Sequence, residues 1–330
     1  MKQIILSIIG ILFLSLVANA QIYRVAEMNV EQIKRLDKEK TVVILPGGIV
    51  EEHGSFLPTF TDGYWNEQLT RELAKAIAAK PGWSAVIFPT IPLGNSGAND
   101  IGGKFSFPGT YAVRFETLRS IFMDLAGELG EQKFKWIFVV HGHGAPNHVR
   151  ALDQAGDYFR DTYGGRMVNL TGLLPVVAAW DGKKSDAQRK EDGLPIHAGM
   201  DETSMMLALR HDLVNPKYKS AKPFASDKME DLITVAQSKD WLGYFGSPRL
   251  ASREHYANGW QIASNEAVNL GLKILGGLDD RTIPRFGDEM LKSPTDVALD
   301  NASLKHEAEI KIKQNEWLEK KKFKQQINRY

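Results

Sequence analysis

The chain has 330 residues, 41 Lys plus Arg against 40 Asp plus Glu, 43% hydrophobic residues and no cysteine. That is enough for one large α/β domain or two smaller ones, and the balanced charge argues against nucleic acid, whose phosphates require a basic excess on one face. Without cysteine there are no disulfides, thiolate nucleophiles or Cys-ligated zinc, so any metal must be held by His, Asp and Glu.

In chain order, Met1-Lys2 is a short basic start, Ile4 to Val17 an apolar run, and Ala18-Asn19-Ala20 an A-x-A arrangement ahead of Gln21. This is the pattern of a cleaved secretory signal. A membrane anchor is the competing reading, but the run is shorter than the roughly 20 residues a spanning helix needs. No later segment is long and apolar enough to span. The expectation is a signal at residues 1–20 cut after Ala20, a periplasmic or secreted location, and a mature chain of 40 basic and 40 acidic residues once Lys2 is removed.

Thr41 to Leu45 is a strand-length β-branched run closed by Pro46-Gly47-Gly48, and Trp65 to Lys80 reads as a helix stopped by Pro81-Gly82. Ala85 to Phe88 is a second strand, and Val113 to Leu129 a helix with Phe115, Leu118, Phe122, Leu125 and Leu129 on one stripe. Trp136 to Val140 is a third strand, Asn147 to Tyr163 a helix and Arg166 to Leu170 a fourth strand. This alternation implies a mostly parallel sheet covered by helices on both faces, with ligands gathering at the carboxyl ends of the strands. Ala178 to Pro195 reads as a polar loop, Asp201 to Leu213 as a helix, and Pro216 to Lys239 as mixed. Ala302 to Gln326 reads as a highly charged helix, either solvated or packed on a partner, with an anionic-surface anchor as the other option. There is no internal repeat and no low-complexity linker. One domain over 21–300 with a charged tail at 301–330 is expected.

Two of the eight histidines, His53 and His143, follow predicted strands. Glu51 and His53 lie two apart, so in extended chain both side chains leave one face, and Asp62 returns after a short loop. His141 and His143 repeat the two-apart spacing within His141-Gly142-His143-Gly144. Each fragment alone reads more readily as a surface or hydrogen-bonded pair than as a metal site. Together, in a chain without cysteine, they point to a metal such as Zn, Mn or Fe. The third segment, His197-Ala198-Gly199-Met200-Asp201-Glu202-Thr203-Ser204, opens a helix, where Asp201 or Thr203 would cap and Glu202 would complement the dipole.

Taken in order, Leu45-Pro46-Gly47-Gly48 with Glu51-Glu52-His53-Gly54, Leu57-Pro58 and Asp62, then Phe107-Pro108-Gly109-Thr110, Gly142-His143-Gly144 with Asn147, and His197-Ala198-Gly199 with Glu202-Thr203-Ser204 resemble the creatininase (creatinine amidohydrolase) family. Gly246-Ser247-Pro248 with Ala251 and Gly259 is similar to a late Gly-Asp-Pro segment of that family, with Ser247 replacing the acid. The resemblance implies a three-layer α/β/α creatininase-like fold, two divalent metal ions per subunit, hydrolysis of cyclic or linear amide C–N bonds, and a homo-oligomer, a hexamer in relatives. Carried over by position, Glu51, His53, Asp62 and His143 match the metal ligands, with Asp62 bridging. A further ligating acid of creatininase falls here on Ala145. Glu202 is therefore the candidate to complete the second site or to act as base, and His197 matches a histidine beside the substrate and is the candidate acid.

The chemistry implied is attack of a metal-bridging hydroxide on a small amide, with the oxyanion stabilised by metal and the departing nitrogen protonated by His197 or Glu202. Several departures argue against creatinine itself. The Gly-rich Gly94 to Lys104 stretch lacks a Glu-His pair common in relatives, Gly193 stands where creatininase has a substrate-packing tryptophan, and His141 replaces an Asn. Trp180 is the candidate to fill the tryptophan's space. No Gly-x-Ser-x-Gly elbow, G-x-G-x-x-G or Walker A pattern follows a strand. The alternative function is a non-catalytic exported small-molecule-binding protein that retains the fold.

Overall fold

In the computed structural model, which describes residues 21–321, five strands build one sheet: β1 (Gln21–Arg24), β2 (Thr41–Pro46), β3 (Ser84–Ile87), β4 (Trp136–Val140) and β5 (Arg166–Asn169). Their order is β1-β3-β2-β4-β5 with every pairing parallel. The expected signal at 1–20 and the end of the charged tail, including Gln326, lie outside the described residues. Among the described residues no helix is long and apolar enough to cross a membrane.

The central strands carry the layering. All six residues of β2 are buried, as expected of parallel strands covered on both faces. Their side chains alternate. Val42 and Ile44 of β2 and Phe138 and Val140 of β4 enter one core, while Val43, Leu45, Ile137 and Val139 enter the other. The first core is covered by α2 (Thr61–Ala78), through Leu69, Leu73 and Ile77, and by a late helix contributing Ala267 and Ile274. The second is covered by α3 (Phe115–Glu131) and α4 (Pro146–Tyr163), through Leu118, Phe122, Leu152 and Phe159. Each large aliphatic or aromatic side chain withdrawn from water contributes about 1.5–3 kcal/mol. The result is a three-layer α/β/α fold.

The remaining helices are α1 (Val30–Lys34), α5 (Leu174–Ala178), α6 (Asp186–Asp192), α7 (Met200–Leu209), α8 (Met229–Gln237), α9 (Arg253–Asn258), α10 (Trp260–Leu275), α11 (Phe286–Met290) and α12 (Pro294–Lys320). The late helix on the first core is α10. Apart from shifts of one or two residues at other ends, four differences from the sequence reading stand out. Helix α2 begins at Thr61 rather than Trp65, which puts Asp62 on its first turn. The 178–195 stretch contains α6, started by a capping box in which Ser185 accepts from Gln188 N. The helix after His197 stops at Leu209, and His211–Leu213 is a separate 3-10 turn. Finally, α12 starts at Pro294, with Ser293 accepting from Asp296 N as its cap, and runs unbroken across residue 300.

Candidate metal centre

Strands β2 and β4 are neighbours, with Pro46 opposite Val140 at their carboxyl ends. The segments leaving them therefore share one edge of the sheet, the place where ligands bind in α/β folds. Gly47 and Gly48 follow β2. The ring of His141 lies so close to Gly47 that a Cβ there would overlap it. His141 accordingly turns away from His143 and toward the scaffold, 3.2 Å from Gly48 N and 3.0 Å from His148. Burial pushes its pKa down to about 4, so His141 and His148, also depressed by burial, form a neutral pair behind the site. The two-apart spacing of His141 and His143 thus separates rather than joins them.

Glu51, His53 and Asp62 are buried, and His143 and Glu202 join them. One nitrogen of His53, Nδ1, lies 3.2 Å from the Glu51 carbonyl and donates to it. That leaves Nε2 facing Asp62 Oδ1 at 3.3 Å and Glu202 Oε2 at 3.6 Å, with no hydrogen-bond partner. His143 is the mirror case: Nε2 donates to the Ser96 carbonyl at 2.6 Å, and Nδ1 faces Asp62 Oδ2 at 3.1 Å and Glu51 Oε2 at 3.2 Å. A neutral imidazole held this way points a lone pair at carboxylate oxygens, so a proton or a metal cation must occupy each contact.

The two sets, Glu51–Asp62–His143 and His53–Asp62–Glu202, each keep their donor atoms within 4.8 Å of one another. They share Asp62, whose two oxygens face different histidines. Burial opposes ionisation of Asp62, yet the imidazoles of His143 and His53 facing its two oxygens outweigh it and hold the carboxyl far below its usual range. Burial likewise opposes the charge on His143, but Glu51 and Asp62 raise its pKa well above normal. Glu202 is pushed up by burial, only partly countered by His53 and His197.

His197 stands between the sets. Its Nε2 donates to the Glu52 carbonyl at 2.6 Å, its Nδ1 lies 3.7 Å from Glu51 Oε1, and its ring centre is 4.2 Å from that of His53. Burial works against its charge, but Glu51 and Glu52 raise its pKa to about 10. A third group of donors, Glu51–His53–His197, makes it a possible ligand as well. In α7, Glu202 rather than Asp201 enters the site, accepting from Ala198 N at 2.5 Å. Asp201 is instead held by Lys184 at 2.6 Å and His255 at 2.7 Å, and caps nothing.

Sequence reasoning passed over the loop that orients this cluster. Gly94 to Lys104 reads as a departure from relatives, yet Ala98 N donates to Glu51 Oε1 at 2.5 Å and the Ser96 carbonyl receives His143. Among the described residues, Ser96 and Ala198 are two of three non-glycine residues with positive φ, at 60° and 53°. Each such residue costs on the order of 1–3 kcal/mol, and both present backbone groups to the cluster. Thr110 of the Phe-Pro-Gly-Thr segment accepts from Glu52 N at 3.1 Å. Helix α12 ties the loop down: Glu307 accepts from Asn95 Nδ2 at 2.6 Å and Phe115 N at 2.8 Å, and Ser303 donates to Asp100 at 2.9 Å. Trp180 does line the cavity of about 370 Å³ above the cluster, stacked on Trp260 at 5.3 Å.

Fold and site together define a three-layer α/β protein with paired carboxylate–imidazole groups at the centre of a parallel sheet, a donor chemistry that fits hard or borderline divalent cations. The family model described as "Creatininase: Creatinine amidohydrolase" matches residues 26–270, and the chain belongs to the creatininase family. It is 28% identical to a creatinine amidohydrolase of Pseudomonas putida, over 64% of this chain and 82% of that protein. It is 29% identical to a mycofactocin precursor peptide peptidase of Mycolicibacterium smegmatis, over 54% of this chain and 62% of that one. Among solved structures, "Creatininase Mn" superposes with TM-score 0.54 at 21% identity, covering 77% of this chain and 99% of its own. A creatinine amidohydrolase structure gives 0.52 at 22%, covering 76% and 94%.

Proposed function

We propose that the protein is a metal-dependent amidohydrolase with two divalent cations, one held by Glu51, Asp62 and His143 and the other by His53, Asp62 and Glu202. The observation that carries this reading is the sharing of Asp62 between two donor sets, each with an imidazole aimed by a backbone carbonyl behind it. Family relatives named for hydrolysis of creatinine and of a peptide support amide C–N cleavage. When bound, a cation pair supplies a lowered water pKa near neutrality and polarises the scissile carbonyl.

The chain's own residues supply the rest. Asp62 stays ionised and spans both sets. His53 Nδ1 and His143 Nε2 keep their protons on the carbonyls of Glu51 and Ser96, which leaves Nε2 and Nδ1 free for the cations. Glu202, whose carboxyl is raised by burial, is placed to accept a proton, and His197 holds one for the departing nitrogen. The backbone of Ser96 and Ala198 keeps the donors oriented.

Metal analysis tests the assignment. About two Zn or Mn per chain are expected in the wild type; Asp62→Ala should lose both, and His53→Ala should lose one. A folded wild type that takes up no metal when supplied with it, while binding a small amide, favours the non-catalytic binding protein instead. We also propose export through the N-terminal segment, which predicts a mature protein starting at Gln21 by N-terminal sequencing.

A further inference from the structure

The cavity above the cluster extends to a wall of a different kind. Its lining includes Phe286 and Met290 of α11 and Leu299 of α12, together with Ile101, Leu194 and Met229. All six are half-buried. Ile101, Leu194 and Met229 are packed from behind by the Leu232, Ala236, Trp241 and Phe245 cluster. No Lys or Arg lines the cavity, whereas Asp296 and Asp300 flank Leu299. An anionic group on the part of a ligand beside Leu299 would therefore meet the carboxylates of Asp296 and Asp300, with Arg150, already paired to Asp300 at 3.6 Å, outside the lining.

The α12 part of this wall is fixed in place. Glu307 and Ser303 bind the 95–100 loop and the start of α3, and His306 stacks on Phe105 with ring centres 4.7 Å apart and planes 11° apart. Both α11 and α12 lie beyond residue 270, where the family match ends. A cavity of about 370 Å³ is within the range that buries ligands of drug-like size.

We propose that Phe286, Met290 and Leu299 are specificity-determining residues that select amides bearing an uncharged aliphatic or aromatic group of several carbons, a proposal that rests on the amidohydrolase reading above. The cation-holding cluster grips the amide end, and the α11–α12 wall receives the apolar end. Each methylene buried there tightens binding by about fourfold.

Straight-chain hydroxamic acids from acetohydroxamate to octanohydroxamate, titrated calorimetrically into the Zn-loaded full chain, test this. Affinity should rise by about threefold to fourfold per added methylene over the middle of the series. The monohydroxamate of suberic acid, equal in length but ending in a carboxylate, should bind at least about tenfold more weakly than octanohydroxamate. Leu299→Asp and Met290→Ala should each cut the octanoyl-to-acetyl affinity ratio by about tenfold or more, with melting curves showing that the variants fold; Leu299→Ala replaces Leu299→Asp if the latter does not. A flat series, a suberic probe equal to octanohydroxamate, or a ratio unmoved by every wall variant overturns the proposal while leaving the metal centre standing. Failure of acetohydroxamate itself to bind overturns the metal-centre reading, and this proposal with it.

Discussion

A histidine's role in this protein is decided by what its second nitrogen touches. His53 and His143 each spend one nitrogen on a backbone carbonyl and aim the other at Asp62. His141, with the same local spacing, is drawn behind the site by Gly47, Gly48 and His148. Replacing Gly47 with Ala forces a Cβ into the His141 ring and should cost about 1–3 kcal/mol, read from the urea midpoint, with metal affinity falling alongside. A second residue-scale prediction concerns Asp153 of α4, away from the cluster. Burial, only partly offset by Arg285, pushes its carboxyl up to about 7. Its folded value lies above the unfolded one near 4, so the folded state binds more protons; the stability linked to this group is present below pH 4 and is lost as pH rises through 7. Asp153→Asn should therefore gain stability over the wild type as pH increases from 4 to 8, and equal urea midpoints at both ends would refute this. Glu51, His53, Asp62 and His143 were legible as candidates from residue type and spacing in local chain, whereas His197 and Glu202 became candidates only through the resemblance to the creatininase family. Ser96 and Ala98 were not legible, because their contribution comes from backbone atoms, which any side chain can accompany.

At the scale of elements, two connections hold the site's late parts. Lys184 is buried among Asp181, Asp192 and Asp201, at 2.9, 2.9 and 2.6 Å, and so links α6 to α7, the helix that carries Glu202. Burial opposes its charge, but the aspartates more than compensate and raise its pKa. Lys184→Met removes the cation shared by Asp192 and Asp201, leaving Asp192 only backbone N–H donors and Asp201 only His255, and should cost about 3–5 kcal/mol by chemical denaturation. The other connection is Glu307 of α12, which pins Asn95 and the N-terminus of α3. Glu307→Ala should weaken metal binding by about 10–100-fold, as loss of an orienting outer contact does, and amides of residues 95–100 should exchange faster in hydrogen–deuterium measurements. The charged composition of 302–326 reads as a helix either solvated or packed on a partner. In fact the first half of α12 packs inward, with Asp300 and Ser303 buried, and only the tertiary partners of those residues reveal this. Helix α2 started a turn earlier than its apolar stripe because Thr61 and Asp62 are polar, and their burial comes from the site rather than from the core.

For the molecule as a whole, the balance of 41 basic and 40 acidic residues leaves no global field to steer a charged ligand, so substrate association should vary little with ionic strength. Stability should instead depend on metal. A ligand at about 100 times its dissociation constant adds about 2.7 kcal/mol, so chelation by EDTA should lower the melting temperature by several degrees and readdition of Zn or Mn should restore it. An unchanged melt would contradict the two-cation reading. Sequence by itself determined the alternation of strands and helices, the two-faced burial of β2 and β4, and the ordered motifs of the creatininase family, because periodicity and short-range spacing are properties of local chain. Tertiary structure decided which atoms of those motifs meet: the split of Asp62 between two donor sets, the retreat of His141, the strained carbonyl of Ser96 that aims His143, and the folding of α11 and α12 over the cavity. These depend on contacts between residues as far apart as Asn95 and Glu307, whose proximity follows from packing and leaves no mark in local sequence.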